Sequence, residues 1–243
     1  MTIKLASSVE GVIAEVAVKR GDLVRAGQVI ARLDSALDEA NVAFARAKAT
    51  SDAATRASRA RLEFARSQHT RNERLKSSNV VSDARLEETR ADARVAEQEL
   101  REAEHNQILA QLELKRAEVL LQQRTIKSPL DGIVIERNLA PGEYRNEQTP
   151  IVTIAQLSPL RIETFVPTAF FGQISLDSRA EIRPQEPVGG RYVAQAVVVD
   201  RVLDAASGSF GVRLELPNDD LALPGGLRCR IRFLAKGDLG LAR

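Results

Sequence analysis

Tryptophan is absent, aromatic residues make up 4% of the chain, and cysteine and methionine occur once each. With so few large rings, and with alanine at many apolar positions, the 243 residues fill thin seams more readily than a thick core. The single cysteine, Cys229, excludes an internal disulfide. It stands in L-R-C-R-I-R-F, where Leu227, Cys229, Ile231 and Phe233 share one strand face, the setting of a buried structural thiol. No apolar run reaches the ~18 residues of a membrane-spanning helix. The opening M-T-I-K-L-A-S-S-V-E-G lacks the apolar stretch of a signal peptide. Read literally, that gives a cytoplasmic chain; the other reading places a targeting sequence outside it. Neither charge sign dominates, 35 basic residues standing against 33 acidic, so no nucleic-acid footprint is present. P-loop, nucleophile-elbow and G-x-G-x-x-G patterns are all missing, which removes the usual grounds for an enzyme. The two histidines, His69 and His105, fall at different depths of a helical hairpin, read as exposed helix residues, and make a poor metal pair.

What is present is a short β-type pattern written twice. The first copy runs E-G-V-I-A-E-V-A-V-K-R-G-D-L-V-R-A-G-Q-V-I-A-R-L from Glu10 to Leu33. The second runs D-G-I-V-I-E-R-N-L-A-P-G-E-Y-R-N-E-Q-T-P-I-V-T-I from Asp131 to Ile154. One offset of 121 residues lays Gly11 on Gly132, Gly21 on Gly142, Asp22 on Glu143 and Ile30 on Ile151. Glycine followed by an acid marks tight turns between short strands. Val12, Val16 and Val18 are spaced as one strand face, as are Ile133 and Ile135. Asp131 and Glu143 read as turn formers rather than an acid–base pair. Each half is too small to close a core alone; together they could form a flattened β-sandwich.

Between the copies, residues 35 to 124 hold no proline and no glycine and are rich in Ala, Arg, Glu, Leu and Gln, all good helix formers. Asp34 or Ser35 can cap the start and Ser82 a second start. The weak point S-S-N-V-V-S-D divides the stretch into arms near Ser35–Ser77 and Asp83–Gln123, as an antiparallel hairpin requires. In the second arm Leu86, Ala93, Leu100, Gln107, Leu114 and Leu121 recur every heptad, accompanied by Thr89, Ala96, Ala103, Ala110 and Ala117. In the first arm Ala36, Ala43, Thr50, Ala57 and Phe64 form one series, and Ala40, Ala47, Ala54 and Leu75 the other. Each arm would be roughly 60 Å long, a thin rod suited to lateral assembly. After Ile154, short alternating runs punctuated by Gly, Pro, Asn and Asp predict a second β domain, barrel or sandwich, to about Leu234.

The ordered set of motifs resembles the periplasmic adaptor, or membrane fusion, proteins of bacterial tripartite efflux and secretion systems, the HlyD-like group. The residues that carry the resemblance are Gly11–Asp34, T-I-K-S-P-L-D-G-I-V at Thr125–Val134, A-P-G-E at Ala140–Glu143 and L-P-N-D-D-L-A-L-P-G at Leu216–Gly225. The resemblance implies an elongated, multidomain α+β protein. A split lipoyl-like β-sandwich (1–34 plus 124–157) would carry an inserted antiparallel coiled-coil hairpin (35–123, tip near 76–82). A β-barrel domain (158–236) and a tail (237–243) would follow. At the tip, Arg71, Leu75 and Ser82 match the family pattern for docking to a TolC-like outer-membrane channel. The other implied partners are an inner-membrane transporter, of resistance-nodulation-division or ABC type, and further copies of the chain in a ring of six. The implied place is the periplasm, beside the inner membrane, with no cofactor, metal or catalytic residue. A type I secretion adaptor is the alternative within the family. A lipoyl or biotinyl carrier is the rival outside it, but the helical insert stands where a carrier presents its acceptor lysine, and no D-K-A or M-K-M motif occurs.

Overall fold

The computed structural model describes residues 1–146 and 149–234, so the expected tail, 237–243, lies outside the described residues together with 235 and 236. The chain forms two compact units. One is the helical stretch Asp34–Thr125; the other joins Met1–Leu33 to the chain from Ile126 onward.

In the β unit the sequence repeat is a structural repeat. Strands β1 (Thr2–Leu5), β2 (Gly11–Val16), β3 (Leu23–Val24) and β4 (Val29–Leu33) precede the helices; β5 (Thr125–Lys127), β6 (Gly132–Arg137), β7 (Tyr144–Arg145) and β8 (Val152–Ala155) follow them. They make two four-stranded sheets, ordered β1-β8-β6-β3 and β5-β4-β2-β7. Each half lends its short third strand to the other half's sheet, β3 pairing with β6 and β7 with β2. The same offset carries the hydrogen bonds across. Ile13 N donates to Glu143 O at 2.9 Å, and Val134 N to Asp22 O at 2.9 Å. Gly21 N donates to Val134 O, and Gly142 N to Ile13 O, both at 2.8 Å. The acids at the turns do matching work: Asp22 accepts from Lys19 N at 2.8 Å and Glu143 from Ala140 N at 2.9 Å. Asp131 instead accepts from Ala26 N at 2.6 Å, tying the two halves together.

The shared core holds Ile13, Val24, Ile30 and Leu33 from the first half and Val134, Ile151, Val152 and Ile154 from the second. This corrects the expected strand faces. Val12 and Ile135 are exposed, while Ile13 and Val134 point inward. Bulges between Ile13 and Glu15 and between Val134 and Glu136 shift the alternation by one residue, which a strict period of two cannot follow.

A third sheet, five-stranded and antiparallel, has the order β13-β10-β11-β12-β9, built from β9 (Leu160–Pro167), β10 (Arg179–Pro184), β11 (Tyr192–Val199), β12 (Ser209–Leu216) and β13 (Cys229–Phe233). Its own core includes Ile182, Ala194, Phe210, Val212 and Leu214. Cys229, Ile231 and Phe233 pack half-buried against this core, and burial pushes the Cys229 thiol pKa up. Leu227 precedes the strand. The L-P-N-D-D segment is fixed by buried Asn218, whose amide donates to the Leu157 and Leu223 carbonyls at 3.0 and 2.9 Å and accepts from Leu223 N at 3.0 Å.

The helical unit comprises α1 (Ala36–Thr50), α2 (Ala53–Ser77) and α3 (Asp83–Gln123). The expected α3 seam is the observed one: Thr89, Ala96 and Ala110 are buried, and the leucine series is half-buried. The first arm differs. It is two helices, and Ala36, Ala43, Thr50, Ala57 and Phe64 lie on the exposed surface, as do Ala40, Ala47 and Ala54. The packed residues are Val42, Ala45 and Ala49, then Leu62 and Asn72. Ser51 leaves the helix at φ −77°, ψ 109°, and the next helix starts after Asp52, so the heptad restarts one residue early. The break frees the Ala49 carbonyl, and the side chain of Gln107 donates to it. That contact accounts for the lone glutamine in the α3 leucine series. His69 is also a correction. It is half-buried in the seam, its Nδ1 3.3 Å from Thr89 Oγ1, because the true heptad places it inward. His105 is exposed as expected.

Candidate docking site at the hairpin tip

Helix α2 stops by its own backbone. Asn79 takes a left-handed φ of 58°, Asn79 N donates to Lys76 O at 2.9 Å, and Val80 N reaches back to Leu75 O at 3.0 Å. These two bonds are the Schellman arrangement, which satisfies carbonyls a helix end would otherwise leave open. Lys76 Nζ meets Asp83 Oδ1 at 2.8 Å and clips the last turn of α2 to the first turn of α3. Ser82 is the N-cap of α3, accepting from Arg85 N at 3.3 Å.

Arg71 and Leu75 lie one turn apart on one face of α2. Leu75 is 37% exposed and Val80, just beyond it, 69% exposed. Among the described residues Arg71 has no ion-pair partner and is exposed. The tip therefore offers a small apolar surface beside an available guanidinium. Ser82 is exposed but already employed as a cap, so its hydroxyl hydrogen is what it retains for a partner. Val80 is the tip residue that the sequence reading missed. The signal was Asn79, a residue that tolerates left-handed backbone and so predicts where the chain turns and which apolar side chain follows.

The two roles open to Ser82 separate experimentally. Ser82→Ala should cost about 1 kcal/mol of local stability through the lost cap, read as faster hydrogen exchange in the first turn of α3. Unchanged exchange there would mean the cap bond contributes nothing.

Along the rod, Lys48–Glu113 (2.8 Å), Arg61–Glu99 (3.2 Å), Arg46–Glu118 (3.3 Å) and Arg59–Glu104 (3.6 Å) join a basic first arm to an acidic α3. Exposed pairs of this kind contribute little stability each. A less exposed pair, Arg124 Nε to Asp38 Oδ2 at 2.7 Å, closes the open end of the hairpin. No helix among the described residues is long and apolar enough to cross a membrane. Among them, no cluster of His, Cys, Asp and Glu could hold a metal.

Comparison with known proteins agrees with this architecture. The nodulation protein NolF of Rhizobium meliloti is 26% identical over 223 residues, covering 92% of this chain and 57% of its own. The multidrug resistance protein MdtA of Proteus mirabilis is 25% identical over 232 residues, covering 91% and 53%. The chain thus spans about half the length of the curated relatives it matches. The crystal structure of MacA from Actinobacillus actinomycetemcomitans superimposes with a TM-score of 0.80 at 22% identity, over 95% of this chain and 73% of that one, a likeness of fold. Residues 1–156 match the family described as CzcB-like, barrel-sandwich hybrid domain. The chain belongs to this family of membrane fusion, or periplasmic adaptor, proteins.

Proposed function

We propose that the protein is the adaptor subunit of a tripartite efflux pump, linking an inner-membrane transporter to a TolC-like outer-membrane channel. The observation that carries this reading is the tip itself: Leu75 and Val80 exposed on a rigidly capped turn, with Arg71 beside them and unpaired among the described residues.

In this reading Arg71 and Leu75 contact the channel, joined by the hydroxyl of Ser82. The two-sheet repeat is the lipoyl-like domain, residues 1–34 with 124–157, and six copies pack side by side around a conduit. The sheet of β9 to β13 is the barrel domain, 158–236, and faces the transporter. The protein works in the periplasm beside the inner membrane. It catalyses no step and needs no cofactor; energy comes from the transporter, of resistance-nodulation-division or ABC type. Support comes from family membership and from the likeness to a relative named for multidrug resistance.

Leu75→Asp places a carboxylate on the proposed contact. Efflux in a deletion strain complemented with this variant should fall to the level of the empty vector, with the circular dichroism of the purified chain unchanged. Wild-type efflux from the variant would end the docking proposal.

A further inference from the structure

Antiparallel sheets usually set opposite charges across from one another, and one end of the β9–β13 sheet does so. Arg161 faces Glu215 at 3.3 Å, and Arg213 faces Glu163 at 2.9 Å, each pair directly opposite in register. The other end follows it at one position, Glu181 directly opposite Arg232, and breaks it at the next charged pair. Arg183 of β10 stands directly opposite Arg230 of β13. Ile182 pairs with Tyr192, so Arg191 is the residue that follows on the far side of Arg183. Three arginines thus form a row across the sheet. Arg232 and Arg228 continue it along the edge strand, all of them exposed.

Glu181 supplies the acid within this group. Its carboxyl is held below the usual carboxylate range, first by its hydrogen bond from Arg183, with the fields of Arg183, Arg191 and Arg232 adding to it. Among the described residues Arg191, Arg228, Arg230 and Arg232 have no ion-pair partner. Like charges directly opposite on neighbouring strands destabilise a sheet. A single lysine or arginine would suffice to keep an edge strand from pairing with another chain; a row of arginines exceeds that need.

We propose that this arginine face is a docking surface for an anionic phospholipid membrane. The array is open and spread over β10, β13 and the residues just before β11 and β13, without the enclosing walls that would define a site for one ligand. It therefore suits a plane of many phosphates, each able to take a guanidinium through two parallel hydrogen bonds. Charge complementarity selects the partner, and Val193, exposed across from Glu181, gives the face a little apolar surface to lay on the interface. The inference stands apart from tip docking and from the identity of any pump.

The test is vesicle flotation with the full chain, using phosphatidylcholine alone and phosphatidylcholine mixed equally with phosphatidylglycerol. Wild type should float with the mixed vesicles only, less so as salt is raised. Arg230→Thr with Arg232→Thr should weaken this binding about thirtyfold, since each arginine near a charged surface contributes about fivefold. Arg161→Thr with Arg213→Thr removes the same charge from the paired end of the sheet and should leave binding within about twofold. Melting curves of both doubles report that the sheet is intact. Equal loss in the two doubles, or no flotation of wild type, overturns the proposal. Binding to poly-glutamate with none to vesicles would assign the face to an acidic protein and overturn it as well.

Discussion

Ile30→Ala and Ile151→Ala should cost the same, about 4 kcal/mol each. Both side chains are fully buried, at 0% exposure, in the core shared by the two halves of the repeat. Truncating a buried isoleucine to alanine removes its transfer free energy and leaves a cavity, typically 2–5 kcal/mol together. The value depends on how far the surroundings collapse, and here the surroundings are alike. The Ile30 carbonyl accepts from Ala17 N at 2.8 Å, and that of Ile151 from Asn138 N at 2.9 Å, one offset apart. Bulges stand at equivalent places in β2 and β6, and each sheet takes two strands from each half. Because the strands interlock, neither half can loosen alone, so each substitution should lower protection in all of β2, β4, β6 and β8. Hydrogen exchange is the readout to use. The chain has no tryptophan, and its far-ultraviolet dichroism is dominated by the long helices. A gap between the two variants larger than about 1.5 kcal/mol, beyond the usual scatter for matched sites, would show that the halves are not energetic equivalents.

The interlock explains why so much of this fold could be read without coordinates. An offset that superimposes two glycines, an acid and an isoleucine is a statement about tertiary structure written in one dimension. The observed hydrogen bonds follow it residue for residue. In α3 the heptad was equally plain, because leucine recurs in one series and alanine in the other. The first arm was misread for a physical reason. Alanine serves seam and surface alike there, so Ala43 and Ala57 looked no different from Ala45 and Ala49. The one-residue slip at Ser51–Asp52 then moved Phe64 out of the seam and His69 into it. The clue lay in the partner helix, where Gln107 interrupts the leucines opposite the break. At the tip, the face shared by Arg71 and Leu75 followed from helical spacing, whereas the exposure of Val80 depends on the left-handed turn at Asn79. The inward faces of β2 and β6 were hidden because a bulge reverses the alternation from which faces are inferred.

Gly132→Ala is expected to be the costliest single methyl group that can be added to the repeat, at about 3 kcal/mol. Gly132 opens β6 and is held between two strands, paired with Val24 of β3 and one residue from the Ile133–Ala155 pair with β8. A Cβ there would sit 2.5 Å from the Ala155 carbonyl oxygen and 2.8 Å from Cγ2 of Ile154. The oxygen belongs to the backbone of a paired strand and cannot rotate aside, and Ile154 is itself fully buried. Relief requires β6 and β8 to separate, which places the cost at the upper end of the 1–3 kcal/mol range for overpacking. Gly142 offers a control within the same repeat. It has φ +89° with open space where a Cβ would go. Gly142→Ala should therefore cost only the left-handed backbone strain, about 1–2 kcal/mol. Exchange should distinguish the two mechanisms. The steric clash at Gly132 should weaken protection along β6 and β8, whereas strain at Gly142 should stay local to the turn before β7. If Gly132→Ala proved the milder of the two, the close approach of β6 to β8 would not be what the D-G-I-V segment requires of its glycine.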